Sequence, residues 1–171
     1  MLGGDDEMNT RWRVAPLTRD DVEGIARVQM SAYEPRYHES SESFRAKFSA
    51  GGGSCFGVFD PELVAYLVAL PCHPGFVMPL DTAPTGHVPL AEATCLYVHD
   101  LAVAASHRGH RLGDVLWNEL VVVAREHGIG SVELVSVQNS VTWWQARGFA
   151  ISGDAEGGYG DEAVRMTAQI A

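Results

Sequence analysis

What this chain of 171 residues lacks narrows its function before any motif is read. No apolar run approaches the roughly 20 residues needed to span a bilayer, so no membrane segment is expected. The opening MLGGDDEMNT is acidic and polar and has no apolar core of a signal peptide. Residues 1–10 therefore read as a flexible tail, and residues 11–171 as a single domain long enough to bury a sizeable core. Basic residues are scarce: 12 Lys and Arg against 22 Asp and Glu give a formal charge of −10. Neutralising phosphates takes the opposite balance, which argues against a nucleic-acid partner. An acidic field favours approach of cationic substrates such as amines, although solubility alone also produces it.

Cysteine is sparse as well. Cys55, Cys72 and Cys95 are an odd set with no CxxC pair, the usage of a reduced, cytoplasmic protein. The histidines show no metal-ligand spacing except His107-x-x-His110, and Arg108 and Arg111 beside that pair would repel a cation. No metal is expected.

Along the chain, Trp12–Leu17 reads as a short strand and Thr18 as an N-cap. A helix with apolar positions Val22, Ile25, Ala26, Val28 and Met30 then runs to about Tyr33. A second helix spans Glu42–Ala50. Strands at Ser54–Phe59 and Leu63–Leu70 flank an Asp60-Pro61-Glu62 turn, which makes a hairpin. From Pro71 to about Ala91 proline, glycine and small polar residues predominate, as in a lid, a wall of a substrate site, or a tolerated insertion. A strand at Thr94–Val103, a turn at Ala104–Arg111 and a helix at Leu112–His127 follow. Then come a strand at Val132–Val137, a short helix at Ser140–Ala146 and strands near Ala150–Gly153 and Ala163–Ile170. The order implies a mixed α/β domain, with antiparallel hairpins first and a β-α-β unit after.

The richest segment is CLYVHDLAVAASHRGHRLG, Cys95 to Gly113. A strand leads through a basic, glycine-bearing turn onto an amphipathic helix. A helix N-terminus with unpaired N–H groups and a partial positive charge suits a phosphate or pyrophosphate.

The series strand, Arg108-Gly109-His110-Arg111-Leu112-Gly113, helix, strand, short helix and Arg147-Gly148-Phe149 resembles the GCN5-related N-acetyltransferases. The matching motifs cover about Leu96 to Phe149. The resemblance implies a mixed, mostly antiparallel sheet of six to seven strands flanked by about four helices. It also implies acetyl-CoA as cosubstrate and acetyl transfer to an amine. The backbone of Leu101, Ala102 and Val103 would pair with the pantetheine arm. Amides from Arg108 through Gly109, His110, Arg111 and Leu112 to Gly113 would hold the pyrophosphate, and Asn139, Ser140 and Trp143 would approach the cofactor from the last short helix. Two departures stand out. Arg111 occupies the place of the usual middle glycine of the Q/R-x-x-G-x-G/A turn, and Trp144 stands where a proton-donating tyrosine is common. Asp114 is expected to cap the helix.

The strand Leu96–Val103 looks most like the arylalkylamine N-acetyltransferase branch, whose strand histidines help deprotonate the amine. His99 matches one such position and Tyr97 replaces the other. Releasing a neutral amine of pKa near 10.4 at pH 7 costs about 4.6 kcal/mol, and a histidine is a fitting proton acceptor. A buried histidine satisfied by a hydrogen bond is the structural alternative. Asp100 is not its obvious partner, because neighbouring strand residues face opposite ways. Tyr97 could serve as acid or orient a water, Tyr159 is a second candidate acid, and Cys95 leaves a covalent route open. Trp143-Trp144 reads first as core packing.

The expected activity is therefore N-acetylation of a small amine, a polyamine or an amino acid-like acceptor by direct attack. A protein N-terminus as acceptor and a non-catalytic acyl-CoA-binding regulatory domain are the alternatives. A homodimer stays open.

Overall fold

The computed structural model describes residues 11–171; the expected tail, residues 1–10, lies outside them. Seven strands and four helices follow in the order β1 (Arg13–Pro16), α1 (Val22–Ala32), α2 (Ser41–Gly51), β2 (Cys55–Phe59), β3 (Leu63–Cys72), β4 (Cys95–Val103), α3 (Leu112–Glu126), β5 (Ser131–Ser136), α4 (Val141–Gln145), β6 (Ala150–Asp154) and β7 (Val164–Gln169). The strands form one sheet in the order β1-β2-β3-β4-β5-β7-β6. Every pairing is antiparallel except β4 with β5, as a crossover through α3 requires. This is the mixed fold expected from the sequence.

Local chemistry accounts for most boundaries. Thr18 and Asp21 exchange capping-box bonds, but around a short 3-10 turn at Arg19–Asp21 that precedes α1, so the cap lies one turn upstream of the helix proper. Ser40 caps α2 through the Ser43 N–H, and Gly52 ends it at φ 59°. All ten residues of β3 are buried, because helices cover the sheet on both faces. On one face α3 lays Leu112, Leu116 and Leu120 against Leu96, Val98, Val132 and Leu134. On the other, α1 and α2 pack Ile25, Val28 and Phe44 against Tyr66, Val68 and Ala102.

Two irregularities in β4 open the sheet near its centre. The β3–β4 register passes from Ala69↔Val98 directly to Val68↔Asp100, so His99 is the extra residue of a bulge. On its other side β4 pairs with β5 only from Cys95↔Ser131 to Val98↔Leu134. Beyond Val98 the two strands part, and β5 continues along β7 alone.

Leu116 is fully buried beneath the sheet. Leu116→Ala is expected to cost about 2–5 kcal/mol, read as a lower urea midpoint with an unchanged m-value.

Candidate active site

A single cavity of about 350 Å³ runs from the turn after β4, through the gap between β4 and β5, to the loops above α1 and α2. At its first end α3 starts without a side-chain cap. Among the described residues, no backbone N–H from Arg108 to Gly113 has a protein acceptor. These donors converge at the positive end of the helix dipole, and an anionic diphosphate fits them. Arg111 holds φ 59° and ψ 29°, the left-handed conformation glycine usually supplies, at a cost of roughly 1–2 kcal/mol for an L-residue. The turn thus keeps its backbone path without its middle glycine. Gly113 is needed for another reason: a Cβ there would lie 2.9 Å from Trp143 Cζ2. Asp114 does not cap the helix, contrary to expectation. Its carboxylate pairs with Arg111 Nε at 2.9 Å and with Arg147, because those guanidiniums reach it before any backbone donor does.

Along the gap, Leu101, Ala102 and Val103 line the cavity beyond the end of the β5 ladder, with the Leu101 carbonyl accepting from the Tyr33 hydroxyl at 2.7 Å. An extended amide-bearing arm can pair there as an added strand.

At the other end stands a buried polar network. His99 Nε2 lies 2.5 Å from Glu39 Oε1. The other carboxylate oxygen, Oε2, accepts from Lys47 Nζ at 2.8 Å, the Asp81 N–H at 2.6 Å and Ser43 Oγ at 3.3 Å. Lys47, the only lysine of the chain, also donates to Thr82 O at 3.1 Å. Burial raises the Glu39 carboxyl, but the hydrogen bond and charge of His99, with the Lys47 ammonium, outweigh it and hold the group at about 2. Glu39 is thus ionised and fixes the proton of His99 on Nε2, leaving Nδ1 as the acceptor nitrogen. Nδ1 is 3.4 Å from the Tyr159 hydroxyl, which donates to the Met78 carbonyl. Burial pushes the Tyr159 phenol well up, so it stays protonated.

Asp100 is not the partner of His99, as expected, but the bulge overturns the strict alternation on which that expectation rested. With one extra residue in the strand, His99 and Asp100 both face α1 and α2. Asp100 Oδ2 accepts from Tyr66 OH at 2.6 Å. Burial pushes the Asp100 carboxyl up to about 6, against the lowering pull of His99 and of the Tyr66 and Tyr33 hydroxyls.

Of the residues singled out in the sequence, His99, Leu101, Ala102, Val103, Arg108, Gly109, Arg111, Leu112, Gly113, Ser140 and Trp143 all line this cavity. His110 does not; its ring packs against Trp12 at 5.5 Å. Asn139 sits in the turn before α4, outside the lining. Tyr97 is buried behind the cavity against Phe76, its hydroxyl pushed up to about 12 by burial. Cys95 is buried opposite Cys72 and does not reach the cavity, which removes the covalent route. Trp144 packs between Trp117 and Phe149, as a core residue does. Glu39, Lys47 and Asp81 were not found from sequence. No periodicity or spacing links His38-Glu39-Ser40 to a strand 60 residues away.

Residues 21–149 match the model of the acetyltransferase (GNAT) family. No curated protein sequence matches the chain. Among solved structures, the loading GNATL domain of CurA from Lyngbya majuscula superposes with a TM-score of 0.78 at 10% identity, covering 93% of this chain and 98% of that one. The PaiA N-acetyltransferase from Thermoplasma acidophilum, in complex with coenzyme A, gives 0.67 at 12% identity over 92% and 98%. The ribosomal-protein-S18-alanine N-acetyltransferase from Escherichia coli gives 0.67 at 14% identity, over 94% of each chain. At such identities the likeness is one of fold.

The two carboxylates act oppositely on stability. Glu39 has a depressed folded value, so its stabilisation is full above the unfolded value near 4.5 and is lost as pH falls toward about 2. Glu39→Gln is expected to lower the thermal midpoint at pH 7, with the deficit shrinking steadily below pH 4.5. Asp100 has a raised folded value, so its penalty is full above about 6 and vanishes below the unfolded value near 3.8. Asp100→Asn is expected to raise the midpoint at pH 8 by on the order of 3–6 °C and to lose that advantage at pH 3.5.

Proposed function

Because this chain belongs to the acetyltransferase (GNAT) family, we propose that it moves an acetyl group from acetyl-CoA to the primary amine of a small molecule, with His99 as general base and Glu39 as its orienting partner. The observation that carries this reading is the His99–Glu39 contact of 2.5 Å, in the same cavity as the open N-terminus of α3. The residues present fit coenzyme A: the free N–H groups at the start of α3 would hold the diphosphate, the strand edge beyond the β4–β5 ladder would receive the arm, and Trp143 lies tight against Gly113. Acetyl-CoA, when bound, supplies the activated carbonyl; a C–N bond forms as the C–S bond breaks.

The chain contributes position and proton handling. Holding the amine beside the thioester is worth roughly 7–11 kcal/mol, more than the 10²–10⁴-fold typical of a single proton carrier. His99 takes the amine's proton on Nδ1, and the developing imidazolium faces the ionised Glu39. The Tyr159 hydroxyl, beside His99, is the protonated group on hand for the departing thiolate, filling the role that Trp144 cannot. A strand histidine used in this way is the feature shared with arylalkylamine acetyltransferases.

A small acceptor suits the closed far end. Tyr159 reaches Met78 O, the Leu80 N–H reaches Gly157 O at 3.4 Å, and Tyr37 OH reaches Tyr159 O at 3.5 Å. Together with the Asp81 bond to Glu39, these contacts tie three loops across the place where a polypeptide would have to enter.

Acetyl-CoA is expected to raise the thermal midpoint of the wild type, and thiol release is expected with amines. His99→Gln should lower kcat 10²–10⁴-fold with little change in KM for acetyl-CoA. Gly113→Ala should raise that KM about tenfold, equivalent to about 1.4 kcal/mol, and spare kcat. Stabilisation without turnover on any amine or peptide would assign a binding module; absence of stabilisation would refute both readings.

A further inference from the structure

The two carboxylates at the acceptor end are not equivalent. Glu39 is saturated: its oxygens already take His99, Lys47, Ser43 and the Asp81 N–H. Asp100 forms no ion pair among the described residues; its side-chain hydrogen bond comes from the neutral Tyr66 hydroxyl, while the Tyr33 hydroxyl donates to the Leu101 carbonyl at 2.7 Å. A buried carboxylate so placed is costly to the fold, and this cost is most readily offset by a cationic ligand. Asp100 lines the cavity together with Tyr33 and Tyr37, whose rings pack edge-to-face 6.2 Å apart.

The groups facing Asp100 are Tyr33 just after α1, Glu39 ahead of α2, Tyr66 from β3 and His99 beside it on β4. None carries a positive charge free to hold an anion. Lys47 lies behind Glu39 and does not line the cavity, while Arg108 and Arg111 sit at the opposite end on the diphosphate turn. A carboxylate on the acceptor would meet Asp100 and Glu39 with no counter-charge.

We propose that Asp100 is the counter-ion that docks the acceptor's ammonium group, so that the site selects small amines without a carboxylate and rejects the corresponding amino acids. This rests on the acetyltransferase reading above and narrows its substrate class. The ammonium first sits against Asp100; His99 takes one proton to free the neutral amine, and the second nitrogen proton, shed as the C–N bond forms and the C–S bond breaks, replaces the one the Tyr159 hydroxyl passes to the departing thiolate. Asp100 is thus a specificity residue, distinct from the base beside it.

The test compares acetyl transfer from acetyl-CoA to matched pairs: phenethylamine with phenylalanine, tyramine with tyrosine, and putrescine with ornithine. The wild type is expected to favour the amine by at least tenfold in kcat/KM in every pair that reacts. Asp100→Asn is expected to raise KM for the amine at least tenfold while acetyl-CoA still stabilises the variant. Comparable rates within a pair, or no transfer to any of the six compounds by a wild type that acetyl-CoA stabilises, would overturn the assignment. Asp100→Asn kinetics equal to wild type would overturn it as well. Failure of acetyl-CoA to stabilise the wild type would instead remove the enzyme reading beneath it.

Discussion

The structure depends on one constraint in β4: the strand must satisfy its antiparallel neighbour to the end while leaving its parallel neighbour halfway along. Pairing with β3 continues from Cys72↔Cys95 to Ala65↔Val103, but pairing with β5 stops at Val98. The single-residue bulge at His99 is where the ladder is interrupted. It re-aims the strand by one residue, so that His99 and Asp100 share a face that strict alternation would deny them. The parting strands then leave the backbone of Leu101–Val103 open to a ligand. The buried polar network and the open groove beside it therefore arise from the same local irregularity.

Around that point the fold places charge with little redundancy. The chain's only lysine is buried beneath Glu39, and four donors converge on one carboxylate. That network ties α2, the loop at 81–82 and β4 together, so the orienting partner of the histidine is also an anchor for the loop over the acceptor end. Asp100 has no such compensation. Its raised value and the depressed value of Glu39 arise within one cavity: burial prevails over the pull of His99 at Asp100, and is outweighed by the His99 hydrogen bond together with the Lys47 ammonium at Glu39. The two like groups are thus set apart: Glu39 is held in ion pairs and hydrogen bonds around His99, whereas Asp100 lines the cavity without an ion pair among the described residues.

Much of this was legible in the chain. The hairpins, the β-α-β unit and the turn from Arg108 to Gly113 follow from periodicity, breakers and spacing, and their boundaries moved by only a residue or two. Where the reading went wrong, a local rule met a tertiary exception. Thr18 does form a capping box, but on a 3-10 turn. Asp114 has the right type and place for a cap, yet two guanidiniums claim it, one of them from 33 residues away. Tyr97 has the right parity for the site, but packs against Phe76 behind it.

By itself the sequence determined the order of elements, the sheet's mixed character and the basic turn that opens α3, because each is written in contiguous residues whose propensities and spacing act over one or two turns of chain. Only the tertiary structure decided which side chains meet. Glu39 reaches His99 from 60 residues away, Tyr159 approaches it from the opposite end of the chain, and a bulge brings Asp100 to their side. Those encounters depend on sheet register and on which loops fold over the parted strands, and register is set by packing across the whole sheet.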